Sequence, residues 1–144
     1  MQKYYDLEIS ILSCILQRPQ LMEKSILEDK HFIKHKKLWL FMKAVYKKFG
    51  TFDFVIMYKI IKNKYEFIKY MKMLVEVEPA PSLFEEYQKQ LIEEYNQKKK
   101  DKWIIEQIYS LANDLMVGNV EVNNFKNKVN EIYDNANEIF KEGE

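Results

Sequence analysis

The stretch 70-YMKMLVEVEPAPSLFEEY-87 decides how this chain is organised. Pro79 and Pro81 lie within it as the chain's only Pro-x-Pro. Proline has no backbone N–H and pushes the residue before it out of the α region, so no regular helix runs through this point. Ser82 follows, with Glu85 three residues on. That spacing is a capping box: the Ser hydroxyl accepts an orphan N–H of a new helix and the Glu reaches back. One helix is expected to end near Val77 and another to start at Ser82. The chain before the break carries several short amphipathic patterns, and the chain after it carries two long ones. The expectation is an all-α protein. Residues 1–78 form a compact multi-helix head, 79–82 a Pro-rich break, and 83–141 an extended antiparallel helical hairpin. The hairpin packs on the head, on a second copy, or on both, and 142–144 are a tail or the start of a linker.

Outwards from the break towards the N-terminus, the patterns are short. Asp6 can cap a helix to about Gln17, with Leu7, Ile11, Leu12, Ile15 and Leu16 on one face and Cys14 as a small packing residue. Pro19 stops it, and a short helix over Leu21–Leu27 follows. Glu28 to Phe32 reads as a polar connection with Phe32 tucked inwards. Lys37 to Phe49 is the next helix, with Leu38, Phe41, Met42, Val45 and Phe49 on one face and Gly50 closing it. Asp53 is a candidate N-cap for a helix through Ile61. Tyr65 to Val75 carries a stripe of Phe67, Ile68, Met71 and Leu74. Leu12, Phe41 and Leu74, from three of these helices, are the expected head core.

Towards the C-terminus, Phe84, Tyr87, Leu91 and Tyr95 are followed by Ile104, Ile108, Leu111 and Leu115 at helical spacing. Gly118-Asn119 is the turn signal. Val122, Phe125, Val129, Ile132, Ala136 and Ile139 then repeat at heptad spacing. Ile108, Leu111, Leu115, Phe125, Val129 and Ile132 are expected to form the seam of the hairpin. Trp103, Ile105, Tyr109, Tyr133 and Phe140 fall outside that seam. They either recruit another surface, as a dimer or partner interface, or fold back on the head.

Composition bounds the function. The chain has 144 residues, 47% hydrophobic and 15% aromatic, too apolar for disorder, and its 3 Gly and 3 Pro favour helix over tight β-turns. It lacks an apolar run long enough to cross a membrane and a signal-peptide core at its start. With Cys14 as the one cysteine, no internal disulfide can form, and a cytoplasmic location is expected. The net charge of +1 hides an asymmetry. Residues 1–72 hold 15 basic and 7 acidic side chains, net +8; residues 73–144 hold 8 and 15, net −7. The two halves can attract each other between copies, or both charge sets are simply solvated faces.

Little in the chain points to catalysis. Gly50, Gly118 and Gly143 are the only glycines, so there is no phosphate-cradling G-x-x-x-x-G-K-[ST] loop and no G-x-G-x-x-G. His31 and His35 stand four apart, which on a helix could present two imidazoles to zinc, but no H-E-x-x-H accompanies them and no metal site is assigned. Glu85-Glu86 and Glu93-Glu94 read as solvated charge rather than catalytic pairs. Lys34, Lys36, Lys37, Lys43, Lys47 and Lys48 make a basic patch with aromatics among them, an opening for nucleic acid, although those aromatics occupy core positions. The chain is read as non-enzymatic, with no catalytic residue and no cofactor.

Four stretches together resemble one family. Glu8 to Leu16 is similar to the opening helix, E-x-A-V-L-G-A-L-L, of the N-terminal domain of DnaB-type replicative DNA helicases. Phe32 and then Leu40-Phe41 match its aromatic and apolar pair. Gly50-Thr51-Phe52-Asp53 resembles its Gly-x-Pro-Val-Asp, one residue short. Tyr70, Leu74, Pro79 and Tyr87 fall at the spacing of its Y-L-x-x-L-x-x-x-x-P-S-x-x-N-x-x-x-Y. The family's histidine before the third main helix falls on Lys37, and its asparagine after the proline falls on Leu83. The resemblance covers roughly residues 5–141.

The resemblance implies a non-motor module. In that family the N-terminal hairpins pair as dimers, three dimers build a collar, and the collar docks primase or a helicase loader. The chain is then a collar domain excised from a helicase, or a natural freestanding relative. In the latter case it is a regulator, phage-encoded for instance, that binds a helicase, loader or primase. A third reading is a small nucleic-acid-binding protein that uses the basic head.

Overall fold

The computed structural model describes residues 6–141. Among these residues the chain is all-α, with six α-helices and no strand. The helices are α1 (Leu7–Gln17), α2 (Lys36–Phe49), α3 (Phe54–Ile60), α4 (Lys64–Glu76), α5 (Phe84–Met116) and α6 (Val122–Ile139), with 3-10 turns at Pro19–Met22, Asp29–His31 and Pro81–Leu83. The expected tail at 142–144 lies outside the described residues. The chain divides into two compact units between Ile92 and Glu93, within α5. The first unit thus runs past the Pro-rich break that closed the expected head, because Phe84, Tyr87 and Leu91 of α5 belong to the same buried core as α1.

In that first unit α1 is the centre. Every residue from Glu8 to Ile15 is buried, not one stripe of them. The expected one-sided face is therefore wrong in detail: Leu7 and Leu16 are only half-buried, while Ile9, Ser10, Ser13 and Cys14 are inside. The small residues let neighbours approach closely. Ser13 Oγ donates to the carbonyl of Leu74 in α4 at 2.7 Å, which satisfies a hydroxyl that would otherwise be costly to bury. Burial pushes the Cys14 thiol up to about 11, so it is a packing group rather than a nucleophile at neutral pH.

Glu8 is buried because the start of α2 needs it. Its carboxylate accepts the backbone N–H of Lys34 at 3.2 Å and of His35 at 3.0 Å. His35, the N-cap of α2, makes no side-chain cap bond of its own. A negative group from another helix therefore meets the positive end of α2. Asp6 works beside it. One oxygen caps α1 through the Ile9 N–H at 3.2 Å, and the other lies 2.9 Å from His35 Nε2. The His35 ring meets the Tyr70 ring edge-on at 5.9 Å, tying the same point to α4. His31 and His35 thus have separate structural partners, Glu28 N–H donating to His31 Nδ1 at 2.9 Å.

Helix ends follow local chemistry. Asp53 and Asn63 accept the N–H groups of Ile56 and Glu66 as N-caps of α3 and α4. Gly50, at φ 69°, closes α2 with its N–H on the Tyr46 carbonyl. Two expected ends differ. Leu21–Leu27 is not a helix beyond Met22, because the Ile26 N–H goes to Gln88 Oε1 and the Leu27 N–H to Ser25 Oγ, diverting donors a helix would use. Ser82 does not cap α5 either. Pro81 opens a 3-10 turn, and the N–H of Ala80 before it goes to the buried Tyr87 hydroxyl at 3.2 Å.

The core explains the rest. Leu12 and Leu74 are fully buried in one cluster with Phe32, Trp39 and Met42. Phe32 and Trp39 stack at 4.3 Å, and the Trp39 indole N–H donates to Asp29. Phe41, expected in the core, is half-buried; it flanks a smaller cluster of Val45, Met57 and Phe67, and Met42 beside it takes the central position. Ile68, expected on the buried stripe of α4, is exposed, whereas Phe67 and Leu74 carry that stripe.

Candidate protein-interaction site

The second unit contains the part of α5 beyond Ile92 and all of α6. Its turn is built by glycine. Gly118 has φ 84°, its N–H reaches the Leu115 carbonyl, and the Asn119 N–H reaches the Asp114 carbonyl. These two bonds are a Schellman motif, which ends α5 and reverses the chain using a conformation that other L-residues adopt at a cost. Lys100 Nζ then donates to Asn137 Oδ1 at 2.7 Å, and the Trp103 and Phe140 rings meet edge-on at 6.1 Å. The far end of α6 thus lies beside residues 100–103 of α5.

Leu111, Ile104 and Ala136 are buried, and Ile108, Leu115, Phe125, Val129 and Ile132 are half-buried. The first and last residues of the α6 heptad stripe, Val122 and Ile139, are exposed. The five residues expected outside the seam divide. Trp103 and Phe140 are half-buried against each other, so their pairing within the unit removes them from an outward face. Ile105, Tyr109 and Tyr133 stand out at 55%, 75% and 48% exposure. Ile105 and Tyr109 are four apart on α5 and so share a face. Met116 and Val117, which were not singled out in the sequence, extend the exposed apolar surface at the turn. Their signal was there: apolar residues off the 3-4 rhythm immediately before a turn glycine.

The basic patch is less available than its count of lysines suggests. Lys43 bonds Asp29 at 2.7 Å and lies over the Trp39 ring. Lys43 foremost, then the Trp39 N–H, holds the Asp29 carboxyl below the usual carboxylate range. Trp39 itself is buried and cannot stack on a base. Among the described residues, no group of three His, Cys, Asp or Glu is disposed to hold a metal ion, and no helix is long and apolar enough to cross a membrane.

The decisive observation is a family match. The profile of the DnaB-like helicase N-terminal domain matches residues 1–93. The chain belongs to the DnaB-like helicase N-terminal domain family. The matched span ends one residue beyond the first compact unit, so the family match rests on the α1-centred unit and not on α6. No curated protein and no solved structure matches the chain. Membership of this family implies a helicase-associated, non-catalytic domain.

Proposed function

We propose that this chain is an oligomerisation and docking module of a replicative helicase. In this reading the second unit is an antiparallel hairpin. Its seam is Ile108, Leu111 and Leu115 against Phe125, Val129 and Ile132. Its outward residues, Ile105, Tyr109 and Tyr133, pair with the same patch of a second copy, and such dimers build a collar that receives primase or a loader.

The observation that carries the proposal is the DnaB-like helicase N-terminal domain match over residues 1–93, followed by a two-helix unit with exposed aromatic and aliphatic residues. A face of this kind on a narrow two-helix unit is covered most economically by its own image, since an isologous contact satisfies both copies at once. A stable pair needs about 1,000 Å² or more of total buried surface.

Sedimentation equilibrium tests this. The wild-type chain is expected to dimerise at micromolar concentration, and Ile105→Glu with Tyr109→Glu to give a folded monomer. A wild-type chain that stays monomeric at about 100 µM refutes the pairing. A dimer that survives the double substitution places the interface elsewhere.

A further inference from the structure

The first unit carries an apolar surface that the proposed collar does not use. In α3, Met57 is the one buried residue, while Phe54, Val55, Tyr58 and Ile60 are exposed. Tyr65 and Ile68 of α4 are exposed as well. Between α2 and the α3–α4 junction lies a groove of about 400 Å³, walled by Phe41, Ile60, Ile61, Phe67 and Tyr70, with Lys37, Lys62 and Glu66 as its charged lining. A concave, mostly apolar groove marks a recognition site more often than isolated exposed residues do.

The charges around it are mostly positive, with Glu66 as the one acid. Residues 54–75 hold five lysines against it. Lys64 is folded back onto the Tyr58 and Ile61 carbonyls and lies over the Tyr58 ring. Lys72 faces Glu76 at 4.0 Å. Lys37, Lys59, Lys62 and Lys69 form no ion pair with any described residue. An apolar groove flanked by unpaired cations is complementary to apolar side chains set among carboxylates.

We propose that the α2–α3–α4 groove docks an acidic amphipathic helix of a partner protein. The partner's apolar residues, repeating at i, i+3 or i+4 and i+7, seat on Phe41, Ile60 and Tyr70. Its Asp and Glu side chains face Lys37 and Lys62. The walls favour a protein over a nucleic acid. Two of the five are aliphatic, and Phe41 and Phe67 meet edge to face, so neither presents an open ring for base stacking. The lysines steer the encounter and the apolar floor sets how long it lasts.

A displayed library of random 16-residue peptides, selected on the full chain, tests this. Enriched peptides are expected to be net negative, with apolar residues at helical spacing. Fluorescence anisotropy of the labelled winners should show at least a roughly tenfold loss of affinity on Lys37→Glu with Lys62→Glu, and a similar loss on Ile60→Ser. Lys98→Glu with Lys99→Glu should leave binding unchanged. Raised salt should weaken it. Winners without an acidic bias, no enrichment at all, or equal binding to the double-charge variant overturn the proposal. Two further results do so by naming another occupant. One is a labelled oligothymidine that binds the wild type and not the double variant. The other is self-association, in sedimentation equilibrium, that the double variant abolishes.

Discussion

Glu8→Ala is the substitution that most directly tests how the first unit is held together. The Glu8 side chain is buried, and its oxygens accept two backbone N–H groups, from Lys34 at 3.2 Å and His35 at 3.0 Å. Truncation leaves both donors unpaired at the start of α2. An unsatisfied buried donor costs about 1–3 kcal/mol, but these two are only partly buried and removing a buried charge also returns part of its desolvation cost. The net expected loss is about 2–4 kcal/mol, a large share of the roughly 5–15 kcal/mol that holds a domain together. Glu8→Gln keeps one acceptor oxygen and turns an NH₂ towards the second donor, so about half that loss is expected. Glu78→Ala, at an exposed position, should cost under about 0.5 kcal/mol. Urea denaturation followed by circular dichroism reads all three. A Glu8→Ala loss under about 1 kcal/mol, or one equal to that of Glu8→Gln, refutes the capping role.

Leu12→Ala and Leu74→Ala should each cost about 2–5 kcal/mol in the same assay, because both side chains are fully buried. Phe41→Ala should cost less than either, and Lys36→Ala under about 0.5 kcal/mol; equal losses at all four positions would misplace the core. Burial, and then the charge of Lys30, lower the pKa of His31 from its ordinary 6.5. The folded state therefore holds that proton less tightly than the unfolded state. The resulting stability is present above the unfolded value and is lost as pH falls through the folded one. Between pH 7.5 and 5.5, wild-type stability should drop more than that of His31→Gln, and parallel pH profiles of the two proteins would refute it.

What could be read in the sequence was mostly local. Asp6, Asp53 and Gly50 sit at the helix ends they foretell, because a cap is decided by a side chain and an N–H within a few residues. The resemblance carried by Glu8 to Leu16, Phe32 and Tyr70 to Tyr87 falls within the matched span. What escaped depends on distant chain. Nothing near Glu8 says that it will close the start of α2, and nothing near Ser10, Ser13 and Cys14 says that α1 will be enclosed on every side. Ile26 looks helical until Gln88, sixty-two residues away, takes its N–H. In the candidate site, the exposure of Tyr109 and Tyr133 was legible from their place off the 3-4 apolar rhythm. The mutual packing of Trp103 and Phe140 was not, since it joins two helices whose register only the turn at Gly118 sets.

The enclosure of α1 has a consequence for how the protein is made. A ribosome delivers this helix before the chain that covers it: the Leu74 carbonyl that receives Ser13 Oγ lies 61 residues further along, and Phe84, Tyr87 and Leu91 come later still. At roughly 5–20 residues per second, several seconds pass between synthesis of the helix and synthesis of its last covering residues. During that interval Ile9, Ile11, Leu12 and Ile15 have no native shelter. The nascent chain therefore exposes apolar surface throughout that time, and slowing translation after Gln17 should raise its tendency to aggregate.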